Sequence, residues 1–200
     1  MSEWKTVKLG DVCEIVTGGT PSTTRKEYWE NGNIPWVKTT ELQNNELNMT
    51  EEFITQKGLD ESSAKIVPKD TILLAMYGQG KTRGMTAYLN IEATTNQACA
   101  CILPSDDKNI YQKYIWKFLI GNYNNIRNLA IGCNQPNLNS AMVKSIRIPL
   151  PSLEEQKCIV AHLDSLSEKV HQLEEIYTKQ LADCDELKQS FLQKAFAGEL

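Results

Sequence analysis

The stretch with the most chemical promise is Ala75-Met76-Tyr77-Gly78-Gln79-Gly80-Lys81-Thr82, which fits the loose form of a phosphate-binding loop. Such a loop works because a strand leads into glycines and then into a helix whose first amides cradle phosphates. The apolar run before Gly78 supplies the strand. The helix is missing, since Arg83-Gly84-Met85-Thr86-Ala87-Tyr88 has poor helix character, and Ala75 stands where the strict pattern has glycine. No apolar strand ending in a magnesium-binding Asp accompanies it, so nucleotide hydrolysis is not expected. Taken instead as a link between two strands, Gly78–Gly84 is a polar loop with two bases. Its glycines let the backbone approach a duplex, Lys81 and Arg83 can meet phosphates, and Gln79 or Arg83 can read base edges beside Thr82. A solvated hairpin tip would have the same composition.

Three further clusters could serve the same end. Arg25 follows the turn-rich Gly18-Gly19-Thr20-Pro21-Ser22; Lys38 and Thr39 follow a short strand at Ile34–Val37. Asn134 and Gln135 lie in a turn rich in amides, which pair bidentately with adenine when they face a major groove. Catalytic groups are scarce. The first 150 residues contain no histidine, which removes the commonest general base. There is no G-x-S-x-G elbow, no HExxH and no methyltransferase tetrad, while Glu51-Glu52 and Asp106-Asp107 read as solvated loop charges. Of six cysteines only Cys99 and Cys101 lie close together, and His162 and His171 are far from them. That spacing suits buried reduced thiols on one face of a strand, not a zinc site. No catalytic residue, metal or cofactor is expected.

Two regions must position these residues. The net charge of −4 divides unevenly: residues 1–150 carry 16 Lys and Arg against 15 Asp and Glu, residues 151–200 five against ten. Residues 1–150 show short strands at Ile34–Val37, within Lys65–Tyr77, at Met85–Ile91 and at Ala98–Leu103, separated by turns. Pro35 places the first of these at a sheet edge. Ile110, Tyr114, Ile115, Phe118, Leu119, Tyr123 and Ile126 mark one helix with a buried face. Strands and helices mix without a βαβ repeat, so the class is α+β.

The second region, residues 151–200, opens on Pro149-Leu150-Pro151 and a capping box, Ser152-Leu153-Glu154-Glu155. No proline or glycine follows until Gly198, a terminator for one long helix. Ile159, Leu163, Leu166, Val170, Leu173, Tyr177, Cys184, Leu187 and Phe191 fall on alternating steps of four and three, with Gln180 in the one remaining slot. A sustained period of 3.5 marks a coiled-coil seam. About 45 residues make a rod on the order of 65 Å long, more than one small domain can cover, so a partner helix is needed. No stretch approaches the roughly 20 apolar residues of a membrane span. No secretory signal is visible in the opening residues, and a cytoplasmic protein is expected.

Several stretches in order then resemble the specificity subunits of type I restriction–modification systems. They are Trp4-x4-Leu9-Gly10-Asp11-Val12; Gly19-Thr20-Pro21-Ser22 leading to Tyr28-Trp29-x2-Gly32-x-Ile34-Pro35-Trp36; and Ile54-Thr55-x2-Gly58-Leu59. Thr94-Thr95-Asn96-Gln97, Gln135-Pro136-Asn137-Leu138 and Ile148-Pro149-Leu150-Pro151-x2-Glu154-x-Gln156-x2-Ile159-Val160 continue the series. Leu192-x2-Ala195-Phe196-x-Gly198-Glu199-Leu200 closes it. The resemblance implies a non-catalytic subunit with two target-recognition domains, each reading one half of a split site on double-stranded DNA. Antiparallel helices separate them. It implies modification subunits that use S-adenosylmethionine and restriction subunits that use ATP as partners. One recognition domain and one helix make this a half-length form, for which two copies pairing their helices antiparallel are expected. A coiled-coil assembly adaptor, or a decoy for modification subunits without DNA specificity, is the open alternative.

Overall fold

The computed structural model describes residues 4–130 and 137–199. The chain divides into two compact units, residues 1–157 and 158–200. In the first unit β1 (Lys5–Lys8), one helical turn α1 (Leu9–Val12) and β2 (Ile15–Thr17) open the chain. β3 (Ile34–Val37), β4 (Asn45–Leu47), β5 (Glu52–Ile54) and the short helix α2 (Gln56–Asp60) follow. Then come β6 (Ile72–Ala75), β7 (Thr86–Leu89), β8 (Thr94–Thr95) and β9 (Cys99–Ile102). α3 (Gln112–Gly121), α4 (Tyr123–Asn128), α5 (Ser140–Lys144) and β10 (Arg147–Leu150) complete the unit. The class is α+β, as the mixed pattern required.

The main sheet has five strands in the order β2-β9-β6-β7-β4, antiparallel except for β4 beside β7. β6 and β9 lie inside it and every residue of both is buried, which explains why they read as unbroken apolar runs. Cys99 and Cys101 sit with Leu73, Ala75 and Ala87 in one packed cluster. Burial pushes the Cys101 thiol up to about 11 and the Cys99 thiol well above its ordinary value, so both stay protonated. α3 lies near β7, where the Trp116 ring is 5.4 Å from that of Tyr88 and its indole N–H donates to Thr86 Oγ1 at 3.1 Å.

A three-stranded sheet, β5-β3-β8, adjoins a second cluster built on Trp36 and Ile54. Pro35 therefore does not mark an edge: β3 is the middle strand, antiparallel to β5 and parallel to β8. The pairing survives because β8 has only two residues, matched to Trp36 and Val37, beyond the proline. A second departure is the expected single helix over 110–126, which breaks at Gly121-Asn122 into α3 and α4. Glycine there forfeits helix propensity, and Asn122 takes a non-helical conformation with φ −97° and ψ 11°. β1 pairs antiparallel with β10, tying the start of the unit to its end.

The long helix α6 runs from Leu153 to Ala197. Its capping box forms as the sequence requires: the Ser152 amide donates to Glu155 Oε2 at 3.0 Å, and the Glu155 amide to Ser152 Oγ at 3.4 Å. At the other end Gly198 adopts φ +72°, with Gly198 N–H on Ala195 O and Glu199 N–H on Lys194 O. That pair of bonds is the Schellman terminator. Hydrogen bonds from the Ser152 hydroxyl and amide hold the Glu155 carboxyl below its usual value. A depressed carboxyl stabilises the fold above its unfolded value and loses that contribution as pH falls through the folded one. We expect Glu155→Ala to lower the thermal midpoint at neutral pH and the gap from wild type to close below pH 4.5. A gap independent of pH in circular dichroism melts would remove this role. Among the described residues no helix is long and apolar enough to cross a membrane.

Candidate nucleic-acid interface

The glycine-rich loop joins β6 to β7, and its ends are closed by Ala75 N–H on Met85 O and Gly84 N–H on Ala75 O, both at 2.9 Å. No helix follows it, so the phosphate-loop reading is excluded here by the hairpin itself. Gly78, Gly80 and Gly84 have φ of +140°, +59° and +87°, conformations that other residues adopt only under strain. Gly78 also needs its lack of side chain, since a Cβ there would lie 2.7 Å from Thr82 Cβ. Gln79 and Lys81 are exposed, whereas Thr82 and Arg83 are half-buried. Lys81 has no ion pair among the described residues, which leaves its charge available to an outside anion.

The other bases are differently placed. Arg25 stacks on the Tyr28 ring at 4.9 Å and pairs with Glu61 at 2.9 Å and Glu27 at 3.6 Å. Lys38 is gripped by Glu51 at 3.1 Å and Glu52 at 3.0 Å, which raises its pKa and gives the cluster a negative balance. A phosphate would have to displace carboxylates at both positions. Thr39 begins a single 3₁₀ turn, and the Asn96 amide donates to its hydroxyl at 3.5 Å. Asn134 and Gln135 lie outside the described residues. The structure thus gathers Gln79, Lys81, Thr82 and Arg83 in one loop and sets Arg25 and Lys38 in separate acid-balanced clusters.

Sequence reasoning missed two residues at this loop. Tyr123 and Arg127, one turn apart on α4, lie against its inner side. Arg127 donates to the carbonyls of Gly80 at 2.9 Å and Arg83 at 2.7 Å, and Tyr123 Oη donates to Lys81 O at 2.6 Å. The only signal in the sequence is an i, i+4 pair of tyrosine and arginine, which a solvated helix face also shows.

Elsewhere in the first unit two further stretches meet. Gly19 N–H bonds Thr95 O at 2.8 Å and Trp36 donates to Gly19 O at 3.0 Å, so the Gly-Gly-Thr and Thr-Thr-Asn-Gln stretches meet across β8. The sequence pattern of the type I restriction modification DNA specificity domain matches residues 1–181. The chain belongs to this specificity family. Among its relatives, the type I restriction enzyme EcoR124I/EcoR124II specificity subunit of Escherichia coli is 32% identical over 165 residues, covering 81% of this chain and 40% of that subunit. The MjaIX specificity subunit of Methanocaldococcus jannaschii is 34% identical over 185 residues, covering 88% of this chain and 41% of its own length. The chain therefore spans well under half the length of these specificity subunits.

Solved structures show the same fold. The HsdS subunit from Thermoanaerobacter tengcongensis superposes with a TM-score of 0.71 at 23% identity, covering 100% of this chain and 46% of that one. A chain from a structure of complex assembly and conformational transition in the type I R-M system gives 0.78 at 24%, covering 100% and 47%. In this specificity-family chain the second unit presents its apolar residues openly. From Ala161 to Glu199 every residue is exposed, including Leu163, Leu166, Val170, Leu173, Tyr177, Cys184, Leu187 and Phe191, whereas Ile159 is half-buried.

Proposed function

We propose that this chain reads DNA sequence within a type I restriction–modification complex, with recognition in residues 1–150 and helix pairing in residues 151–200. The chemistry belongs to modification and restriction subunits, and this chain directs them without a catalytic group or cofactor of its own. A complex that acts on chromosomal DNA works in the cytoplasm. The observation that carries the reading is the β6–β7 loop, a polar, glycine-bent segment with Gln79 and Lys81 exposed in a specificity-family domain. Lys81 meets phosphate, Gln79 and Arg83 read base edges, and Thr82 supports them. Arg25, Lys38, Thr39, Asn134 and Gln135 form a second rank of contacts, of which Arg25 and Lys38 require their carboxylates to move.

The seam on α6 takes a second copy of the chain. Set antiparallel, one register pairs every layer: Ile159 with Phe191, Leu163 with Leu187, Leu166 with Cys184, Val170 with Gln180 and Leu173 with Tyr177 of the other copy. A two-fold dimer of this kind reads a palindromic split site. Co-expression with the cognate modification subunit, followed by genome-wide mapping of methylated adenines, tests the reading. A split palindromic motif is expected, and no motif would favour the adaptor. Lys81→Ala is expected to weaken binding to all duplex sequences and lower the salt slope by about one. Unchanged affinity and slope in a salt titration would remove the loop from the interface.

A further inference from the structure

Two side chains of α4 and three backbone carbonyls of the β6–β7 loop form one hydrogen-bonded arrangement. The Arg127 guanidinium lies under the loop and donates to three of its carbonyls: Gly80 at 2.9 Å through Nη2, and Arg83 at 2.7 Å and Lys81 at 3.4 Å through Nη1. Nη1 also reaches Tyr123 Oη at 2.9 Å, and that hydroxyl donates its own proton to Lys81 O at 2.6 Å. The guanidinium carbon sits 5.2 Å from the centre of the Tyr123 ring. Gly84 closes the fit, because a Cβ there would lie 3.0 Å from Arg127 Cγ and 3.4 Å from the Tyr123 ring. The arrangement needs a planar group with several divergent N–H donors. Arginine has that fork and lysine does not.

We propose that Arg127, steadied by Tyr123, is a positioning residue for DNA reading: it fixes the backbone of Gly78–Gly84 so that Gln79 and Arg83 meet base edges in one geometry. The inference rests on the reading that this loop meets DNA. Three glycines give the free loop many conformations, and a base edge is read only from a few of them. Turning three carbonyl oxygens onto a cation removes those conformations before DNA arrives. It also partly neutralises those carbonyl oxygens, whose negative charge a phosphate would otherwise meet. A flexible lysine can attract phosphate from many loop conformations, so loss of the clamp strikes sequence discrimination while salt-dependent attraction stays.

The full chain, purified with its modification subunit, is tested with a pool of random-sequence duplexes and one fixed mixed-sequence duplex. Arg127→Lys is expected to cut enrichment of the preferred sequence at least tenfold while keeping the wild-type salt slope on the fixed duplex. Tyr123→Phe, a milder change, should give a smaller loss in the same direction. Trypsin cleavage after Lys81, read by mass spectrometry, should quicken at least tenfold in Arg127→Ala and less in Tyr123→Phe. Full enrichment in Arg127→Lys would overturn the positioning role, since charge alone would then suffice. Unchanged cleavage in Arg127→Ala would overturn the clamp. Equal weakening on all sequences with a reduced salt slope would make Arg127 a phosphate contact instead. A wild-type protein that enriches nothing would overturn the DNA reading itself, and that result is separate from any difference between variants.

Discussion

Gln156→Leu is expected to destabilise residues 1–157 by roughly 3 kcal/mol, the cost of withdrawing hydrogen-bond partners from buried backbone groups. Gln156 is fully buried in the first turns of α6. Its Nε2 donates to Asn109 O at 2.8 Å and Pro151 O at 2.9 Å, and its Oε1 accepts from Tyr111 N–H at 2.8 Å. Tyr111 is the N-cap residue of α3, so one side chain joins the start of that helix to the end of the proline segment. Tyr114 reinforces the joint by donating its hydroxyl to Pro149 O at 2.7 Å. Leucine fills the space but offers neither donor nor acceptor. Glutamate sharpens the test: its carboxylate would face two carbonyl oxygens in a buried site, which raises its folded pKa. A raised carboxyl gains relative stability as pH falls, so Gln156→Glu should recover part of its loss between neutrality and about pH 5. Urea midpoints within experimental error of wild type for Gln156→Leu would show that the network is dispensable.

That network also shows what the sequence can and cannot reveal. Gln156 is visible as part of the Pro-Leu-Pro-x2-Glu-x-Gln stretch, but its partners at Asn109 and Tyr111 lie more than forty residues back and carry no pattern of their own. Local signals survive translation into structure. The capping box at Ser152, the Schellman turn at Gly198 and the apolar runs of β6 and β9 each depend on neighbours in the chain. Long-range pairing does not announce itself: β3 looks like an edge because of Pro35, and only its two-residue parallel match with β8 makes it central. The candidate contacts Arg25 and Lys38 show the same limit. Arg25 and Lys38 look available until Glu61, Glu51 and Glu52 arrive from elsewhere in the fold to hold them. The residues that carry the family resemblance, such as Gly19 and Thr95, bond to each other, while the loop proposed to meet DNA lies outside every one of those stretches.

Leu173→Asp is expected to turn the proposed dimer into a monomer in sedimentation experiments at micromolar concentration. In the register that pairs every seam layer, Leu173 of each copy faces Tyr177 of the other, so one substitution enters two adjacent central layers. Losing a buried leucine costs about 2 kcal/mol per copy, and burying an unpaired carboxylate costs more. Over both copies the sum, about 8 kcal/mol or more, weakens association far more than a thousandfold. A wild-type chain that sediments as a monomer at all concentrations would sink the second copy as the partner. Charge by itself leans towards the parallel arrangement: antiparallel pairing sets Lys169 beside Asp183 but Glu174 beside Glu174 of the other copy, whereas parallel pairing would set Lys169 beside Glu174 and Asp183 beside Lys188. Antiparallel pairing comes from the family resemblance, and cysteine chemistry can decide it. Parallel helices in register would stack Cys184 on Cys184 and oxidise to a covalent dimer through that residue. Antiparallel helices hold the two Cys184 thiols apart, each against Leu166. With Cys158 replaced by serine, wild-type Cys184 should therefore resist interchain oxidation, and adding Leu166→Cys should create a ready disulfide between position 166 of one copy and Cys184 of the other. The opposite pattern on a non-reducing gel would reverse the helices and bring both recognition domains to the same end of the pair.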